Sequence, residues 1–115
     1  MTKKEICEKY IELLAKHDIP GLVTLFSEDG KVVSPLYGTR SAKDFYQALV
    51  DDSLSSKLSI KGIFEDKDSG QMALYFEYQW TKKDGGQVLF DVVDILSFDD
   101  HKKIKLLTII YDTNL

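Results

Sequence analysis

A single aspartate interrupts an apolar face in the most regularly alternating part of the sequence. Alternate residues of a strand share one face, and the face that carries Asp94 is otherwise formed by Val88, Phe90, Val92, Leu96 and Phe98. An ionised, unpaired carboxylate is costly to bury there, so Asp94 must find a cation, take up a proton or face a water-filled cavity. A protonated acid in a dry pocket could donate a hydrogen bond to a developing oxyanion. The alternative is a carboxyl satisfied by backbone N–H groups at a bulge or by an ordered water.

Tyr10 is the second candidate for chemistry. Its helical spacing places it on one face with Ile6, Leu13 and Leu14. The ring is therefore predicted to be buried, and its hydroxyl then needs a partner. A core tyrosine bonded to a backbone carbonyl is the alternative, and it applies equally to Tyr46 and Tyr111.

The elements that must position these residues begin with helices. Thr2 and Glu5 form a capping-box pattern ahead of a first helix over about 3–17. Residues 18–20, Asp-Ile-Pro, are predicted to begin a short second helix that includes Phe26 and is closed by Gly30.

A short strand and a third helix follow. Residues 32–34 predict a strand that Pro35 and a turn through Gly38 bring to an end. Ser41 is then expected to cap a third helix with Phe45 on its buried stripe.

From about residue 57 the apolar period changes from 3.6 to 2. Four strand-like runs are separated by turn-forming segments at 66–70, 82–86 and 99–103. Consecutive strands with short turns predict an antiparallel meander, and three helices must cover its apolar face. We therefore expect one α+β domain spanning residues 1–115.

Composition excludes several classes of function. A net charge of −4 leaves no basic surface for nucleic acid. Cys7 is the one cysteine, and His17 and His101 lie far apart, so neither a disulfide nor a metal site is expected, and no cofactor is implied. The first residues lack the apolar run of a signal peptide and no stretch is long enough to span a bilayer, which predicts a cytoplasmic protein without a membrane partner.

Several segments match one known family in order and approximate spacing. They are YIELL at 10–14, DI at 18–19, FSED at 26–29, the stretch 40–46, Glu77 with Trp80, and LFDVVDILSFD at 89–99. The last is similar to a family run of the form Asp-Val-Ile-Asp-Val-x-x-Phe-Asp. Over nearly its whole length the chain resembles the bacterial Δ5-3-ketosteroid isomerases, which belong to the SnoaL-like, nuclear transport factor 2-like superfamily. The hairpin around Gly85 is a few residues longer here.

The resemblance implies a cone-shaped, cystatin-like α+β fold, with three N-terminal helices packed on a curved, mainly antiparallel sheet. It also implies that Tyr10 and Asp94 are the two donors of an oxyanion hole for a small apolar ligand with a carbonyl or phenol oxygen. Tyr46 matches a supporting tyrosine, whereas Phe26 stands where some members have another. The expected pocket residues are Phe26, Tyr46, Phe76, Tyr78, Trp80, Phe90, Leu96, Leu107 and Tyr111.

One departure from the family bears directly on catalysis. The general-base aspartate is matched by Ser34, whose hydroxyl cannot abstract a proton from carbon near neutral pH without an activating base. The other carboxylates considered as a base, none of them convincing, are Glu28, Asp29, Asp91 and Asp112.

Three functions remain open on these residues. The first is an enzyme for isomerisation or a related proton transfer, in which Ser34 or a bound water occupies the place of the base. The second is a non-catalytic protein that binds the same ligand. The third is association through the outer sheet face, in its simplest form a homodimer, because residues such as Tyr75, Leu89, Val93 and Ile95 leave that face apolar.

Overall fold

Three helices cover one face of a six-stranded sheet in the computed structural model, which describes residues 1–113. The helices are α1 (Lys3–Ala15), α2 (Ile19–Thr24) and α3 (Ala42–Asp51). The strands are β1 (Phe26–Ser34), β2 (Gly38–Ser41), β3 (Ser53–Glu65), β4 (Met72–Lys82), β5 (Gln87–Phe98) and β6 (Ile104–Thr113). Their order is β2-β1-β6-β5-β4-β3, and among the described strands only the β1–β6 pair is parallel. The predicted α+β class with a mainly antiparallel sheet is confirmed.

The first helix begins at the predicted capping box. The Thr2 hydroxyl accepts from the Glu5 amide at 3.1 Å, and the Glu5 carboxylate accepts from the Thr2 amide at 2.8 Å. These bonds satisfy two of the amide groups that have no partner inside the helix.

The first helix ends two residues earlier than predicted, at Ala15, in a Schellman motif. The amide of His17 donates to the Leu14 carbonyl at 3.1 Å, and that of Asp18 donates to the Leu13 carbonyl at 3.0 Å. His17 takes the left-handed conformation, with φ of 54°, that the motif requires. Glycine usually holds this position because it lacks the Cβ that makes a positive φ costly.

The prediction for the second helix is wrong at its end. Helix α2 stops at Thr24, and Phe26 already begins β1, which is nine residues long instead of three. Phe26 pairs with Ile104 of β6, and the register shifts between Phe26 and Lys31. A Cβ on Gly30 would lie 2.9 Å from the Ile104 carbonyl oxygen, so this glycine permits a close approach of two strands and does not end a helix.

The inner face of the sheet follows the predicted alternation. Every second residue of β4, from Met72 to Trp80, is buried against the helices. The pairing of β4 with β5 and β6 sets out rows across this face, such as Leu74–Asp94–Ile109 and Phe76–Val92–Tyr111. Two boundaries were not anticipated: β2 begins at Gly38, and β3 starts at Ser53 instead of near 57.

Candidate functional site

A cavity lies between the helices and the inner face of the sheet. Tyr10, Ser34 and Asp94 all line it. Five of the nine residues expected in the pocket also line it: Phe76, Tyr78, Trp80, Phe90 and Tyr111. The paired rows of the sheet give the order of residues along the cavity. Asp94 lies at the closed end and Trp80 at the mouth.

The four other expected pocket residues do not line the cavity. Leu96 pairs with Leu107 one row beyond Asp94, and both are fully buried in the core that closes that end. Phe26 is buried behind α3, where its ring packs against Tyr46 with centroids 5.8 Å apart. Tyr46 lies behind the wall of the cavity, where its hydroxyl hydrogen-bonds to the hydroxyl of Tyr10.

Seven lining residues were not anticipated. Those from the helices and the β1–β2 turn are Leu14, Leu36, Tyr37, Phe45 and Leu49, and those from the sheet are Val92 and Ile109. Val92 and Ile109 could have been found by extending the inner-face alternation through β5 and β6. The turn residues carry no such signal, because their place depends on how β1 folds back into β2.

Asp94 is the one carboxylate among the residues that line this cavity, and its side chain is enclosed. The residue is 1% exposed, and its Oδ1 has no hydrogen-bond partner among residues 1–113. Burial raises the pKa of Asp94 well above its usual value, and hydrogen bonding from the Tyr10 hydroxyl opposes only part of that rise. The raised pKa favours the neutral acid, which has a proton to donate.

Tyr10 and Tyr46 form a buried hydroxyl pair beside Asp94. Their oxygens are 2.7 Å apart, and either one can be the donor. Burial raises the pKa of both phenols well above the usual value, and the nearby Asp94 carboxyl adds to the rise. When Tyr46 donates to Tyr10, the Tyr10 proton is free for Asp94 or for a guest in the cavity.

Ser34 stabilises the turn between β1 and β2, and this role limits the chemistry of its hydroxyl. Its Oγ accepts from the amides of Leu36 at 3.1 Å and Tyr37 at 3.3 Å, which fixes the turn into β2. A hydroxyl oxygen has two lone pairs, so both are in use and only its proton remains for the cavity. Ser34 can thus donate to a ligand but has no lone pair left with which to act as a base.

Ser34 also lies across the cavity from Asp94. Val33 pairs with Thr108, and Asp94 pairs with Ile109, so Ser34 is two strands away from Asp94 at nearly the same level. Neighbouring strands are ~4.8 Å apart, which separates the two backbones by roughly 10 Å.

The other carboxylates considered as a base lie outside the cavity. Asp91 and Asp112 pair with each other on the outer face of β5 and β6. Glu28 and Asp29 are exposed along β1. No group of three or more His, Cys, Asp or Glu side chains in the described part of the chain could hold a metal ion. Within residues 1–113, no helix is long and apolar enough to cross a membrane.

A hydrogen bond fixes the position of Trp80 at the mouth of the cavity. The Trp80 indole donates from Nε1 to Ser53 at 2.7 Å, which fixes its ring in the wall. Beyond it, the rim carries charges of both signs, from Asp52, Lys82, Lys83 and Asp84. A ligand would therefore pass from a charged rim into an apolar channel with the Asp94 carboxyl at its closed end.

Known structures share this architecture. An epoxide hydrolase/cyclase-like enzyme, SalBIII, which takes part in pyran ring formation in the polyether salinomycin, superposes with a TM-score of 0.82 and 16% identity, covering 96% of this chain and 90% of its own. An NTF2-like protein of unknown function from an Exiguobacterium species has a TM-score of 0.81 and 18% identity, covering 93% and 98%. A cystatin-fold protein from Novosphingobium aromaticivorans gives 0.81 and 18%, covering 96% and 98%.

These likenesses, all below 25% identity, establish the fold, which is NTF2-like and cystatin-like. Family membership is shown by a family model, because structural similarity at this level of identity shows the fold alone. The model of the SnoaL-like domain matches residues 7–106, which include Tyr10, Ser34 and Asp94. The chain therefore belongs to the family of SnoaL-like domains.

Proposed function

We propose that this protein binds a small apolar ligand through a carbonyl or phenol oxygen, which accepts hydrogen bonds from Asp94 and Tyr10. The observation that carries the proposal is the Asp94 carboxyl, enclosed in an apolar-walled cavity with Oδ1 unpartnered. A buried polar atom without a partner costs free energy, and a guest oxygen at the closed end would remove that cost. Apolar walls with a few convergent polar groups are typical of small-molecule sites.

The same two donors favour proton-transfer chemistry of the steroid-isomerase type. When a carbon next to a carbonyl loses a proton, its electrons move to the oxygen, and donors fixed at that oxygen stabilise the enolate. The neighbour described as an epoxide hydrolase/cyclase-like enzyme fits this view, since opening an epoxide also places a proton on an oxygen. We propose isomerisation or a related proton transfer as the activity.

A non-catalytic binding protein is the second candidate function. The observation in its favour is that both lone pairs of the Ser34 hydroxyl accept backbone amides, which leaves the matched base position unable to take a proton. Such a protein would keep the donor pair and hold the ligand without turning it over.

Binding is tested with 2-naphthol, an apolar phenol whose fluorescence reports its environment. Asp94→Leu removes the donor at similar volume, and we expect affinity to fall by about tenfold or more. Asp94→Asn keeps an N–H donor, so its affinity for 2-naphthol should fall by less. Asp91→Asn, on the same strand but the outer face, is the matched control. Equal affinity for wild type and Asp94→Leu would show that the carboxyl does not hold the ligand.

Ser34→Asp separates the two candidate functions. We expect this variant to isomerise 3-cyclohexen-1-one faster than wild type by roughly tenfold or more, because a carboxylate at this position can act as a general base. Ser34→Asn is the matched control, since its amide has similar size and no basicity. A variant that binds 2-naphthol but gives no isomerisation above Ser34→Asn would favour the binding protein.

We also propose that the chain forms a homodimer through the outer face of the sheet. Tyr75, Val93 and Ile110 form one row across the centre of this face, and Ile110 is 55% exposed. An apolar sheet face of this kind is commonly covered by another copy. A cytoplasmic location stays a prediction from the sequence.

A further inference from the structure

Ser34 offers a hydrogen-bond donor on the side of the cavity opposite Asp94. Its Oγ accepts from the amides of Leu36 and Tyr37, and these two are its hydrogen bonds within residues 1–113. Both lone pairs are therefore in use, while the hydroxyl proton has no acceptor in that part of the chain. Ser34 is 6% exposed and lines the cavity, so this proton is available to a guest.

Two other donors in the cavity wall are bound to protein groups. The Tyr37 hydroxyl donates to the Asp52 carboxylate, and the Trp80 indole donates to the Ser53 hydroxyl. The protons of these two groups are therefore taken, whereas the bonds of Ser34 use its lone pairs alone. Of the three side chains, Ser34 is the one that can donate to a ligand.

One row of the sheet joins Ser34 to Asp94. Asp94 pairs with Ile109 of β6, and the parallel pairing of Val33 with Thr108 places Ser34 beside Ile109. Ile109 lines the cavity between the two donors and offers no polar side-chain group. Two strand spacings of ~4.8 Å separate the backbones of Ser34 and Asp94 by roughly 10 Å. The floor of the cavity at this level is therefore an apolar residue with a donor on either side.

We propose that the ligand carries two carbonyl oxygens on opposite edges of an apolar ring, and that the Ser34 hydroxyl donates to the second of them. This proposal rests on the proposed function, since Asp94 and Tyr10 hold the first oxygen. Ser34 is then a specificity-determining residue at the position where the matched family has its base.

The length of a six-membered ring with two carbonyls fits this row. Side chains stand roughly perpendicular to a sheet, so the donor atoms of Ser34 and Asp94 are separated by about as much as their backbones. The two oxygens of the ring are about 5 Å apart, and hydrogen bonds of about 2.8 Å at both ends bring the span to roughly 11 Å. Such a ring would lie over Ile109, which contacts its apolar face.

The bonding of Ser34 favours a carbonyl over a hydroxyl at this position. A carbonyl oxygen only accepts, which matches a side chain whose lone pairs are in use. A ligand hydroxyl could accept the same bond, but its own proton would then face Ile109 without an acceptor. A buried polar group without a partner costs enough free energy for a site to discriminate against the ligand that carries it.

Displacement of 2-naphthol measures the affinities of two ketones that differ by one carbonyl. Cyclohexanone has one oxygen, and cyclohexane-1,4-dione has two on opposite edges of the same ring. The ratio of the two affinities isolates the second oxygen, because the rest of the ligand is shared. In Ser34→Ala we expect the affinity of the dione relative to cyclohexanone to fall by about tenfold, since its second carbonyl is then buried without a donor. Wild type should bind the dione more tightly than 4-hydroxycyclohexanone.

Two further variants control for packing. Ser34→Thr keeps the hydroxyl and should keep the wild-type ratio. Ser59→Ala removes an exposed serine on the outer face of β3, in the row of Glu77 and Asp91, and should also leave the ratio unchanged. Circular dichroism checks that each variant is folded.

Infrared spectroscopy tests the second contact on wild type alone, whether or not a variant folds. A hydrogen bond lowers the stretching frequency of a carbonyl, and difference spectra between ¹²C- and ¹³C-labelled dione isolate the ligand bands. We expect both carbonyls of the bound dione to absorb at lower frequency than in an apolar solvent. A single shifted carbonyl would contradict the contact with Ser34.

The outcomes separate this proposal from the proposed function. If neither 2-naphthol nor the ketones bind wild type, both proposals are wrong. If they bind but the affinity ratio is the same in wild type and Ser34→Ala, the second contact is wrong and the ligand site stands. A loss that Ser34→Thr does not restore would also contradict it, because it would show a packing effect. Binding of 4-hydroxycyclohexanone as tight as that of the dione would contradict a carbonyl at Ser34.

Discussion

Burial of the Asp94 carboxyl couples its protonation to the stability of the protein. Its pKa is raised by burial well above that of the unfolded chain, so the folded state holds a proton that the unfolded state releases. The stabilising effect of that proton is fully present below the unfolded pKa of about 4 and is lost as pH rises toward the folded pKa. Within that window the folded state loses up to about 1.4 kcal/mol per pH unit.

Asp94→Asn should remove this pH dependence. Between pH 5 and pH 7 we expect the free energy of unfolding of wild type to fall relative to that of Asp94→Asn, because asparagine does not titrate. Urea unfolding at pH 5, 6 and 7 measures both proteins. If the free energy of unfolding changed with pH equally in the two proteins, the Asp94 carboxyl would be solvated or already ionised in the folded state.

Individual residues differ in how far the sequence predicted their roles. Periodicity alone placed Tyr10 and Asp94 on inward faces, because a polar residue in an apolar stripe is visible within a single element. The bond between Tyr10 and Tyr46 and the contact between His17 and Ser56 join residues more than thirty positions apart. No local pattern encodes such a pair, since it arises only when the helices settle on the sheet.

At the scale of elements, nonlocal pairing overrode local signals in β1. The apolar residues before Phe26 favoured a helix, and Gly30 looked like its end, but parallel pairing with β6 draws this segment into the sheet. The sheet of long alternating strands was predictable, whereas this pairing was not, because its two strands are the first and last of the chain. Strand pairing then decides where the β1–β2 turn and Ser34 lie.

Gly30→Ala tests the close approach of β1 and β6. The new Cβ would meet the Ile104 carbonyl oxygen at 2.9 Å and the Phe26 side chain at 3.0 Å, both in packed positions. We expect a loss of about 1–3 kcal/mol in the free energy of unfolding. Gly62→Ala is the control, because the nearest neighbour of its Cβ would be the exposed Phe64 ring, which can move. Equal losses in the two variants would argue against a specific role for Gly30.

His17 at the end of α1 and Lys102 in the β5–β6 turn both have a positive φ, and replacing each by glycine tests what the His17 side chain contributes to stability. Lys102→Gly relieves a positive φ at an exposed turn, and we expect it to stabilise the protein by roughly 0.5–1 kcal/mol. His17→Gly relieves a similar strain but removes the bond to Ser56, so it should be neutral or destabilising. Urea unfolding of both variants gives the comparison. A larger gain in His17→Gly than in Lys102→Gly would show that the imidazole contributes nothing to the fold.

At the scale of the whole molecule, the two faces of the sheet have different uses. The inner face is covered by helices and encloses the cavity, whereas no helix within residues 1–113 lies on the outer face. Its centre is apolar, with Phe64 at 58% exposure beside the row of Tyr75, Val93 and Ile110. A salt-bridged group, in which Lys61 lies 3.4 Å from Asp91 and 3.7 Å from Glu77, borders this patch.

Ile110→Lys tests the proposed dimer at the centre of that patch. Light scattering should give wild type a mass of twice 13.1 kDa at micromolar concentration, and the variant the mass of a monomer, because two buried lysines would face each other across a twofold axis. Leu36→Lys, in the exposed β1–β2 turn at the mouth of the cavity, is the matched control and should stay dimeric. A monomeric wild type would exclude the dimer and leave the apolar outer face to another partner. A dimer that survives Ile110→Lys would mean that the copies meet elsewhere.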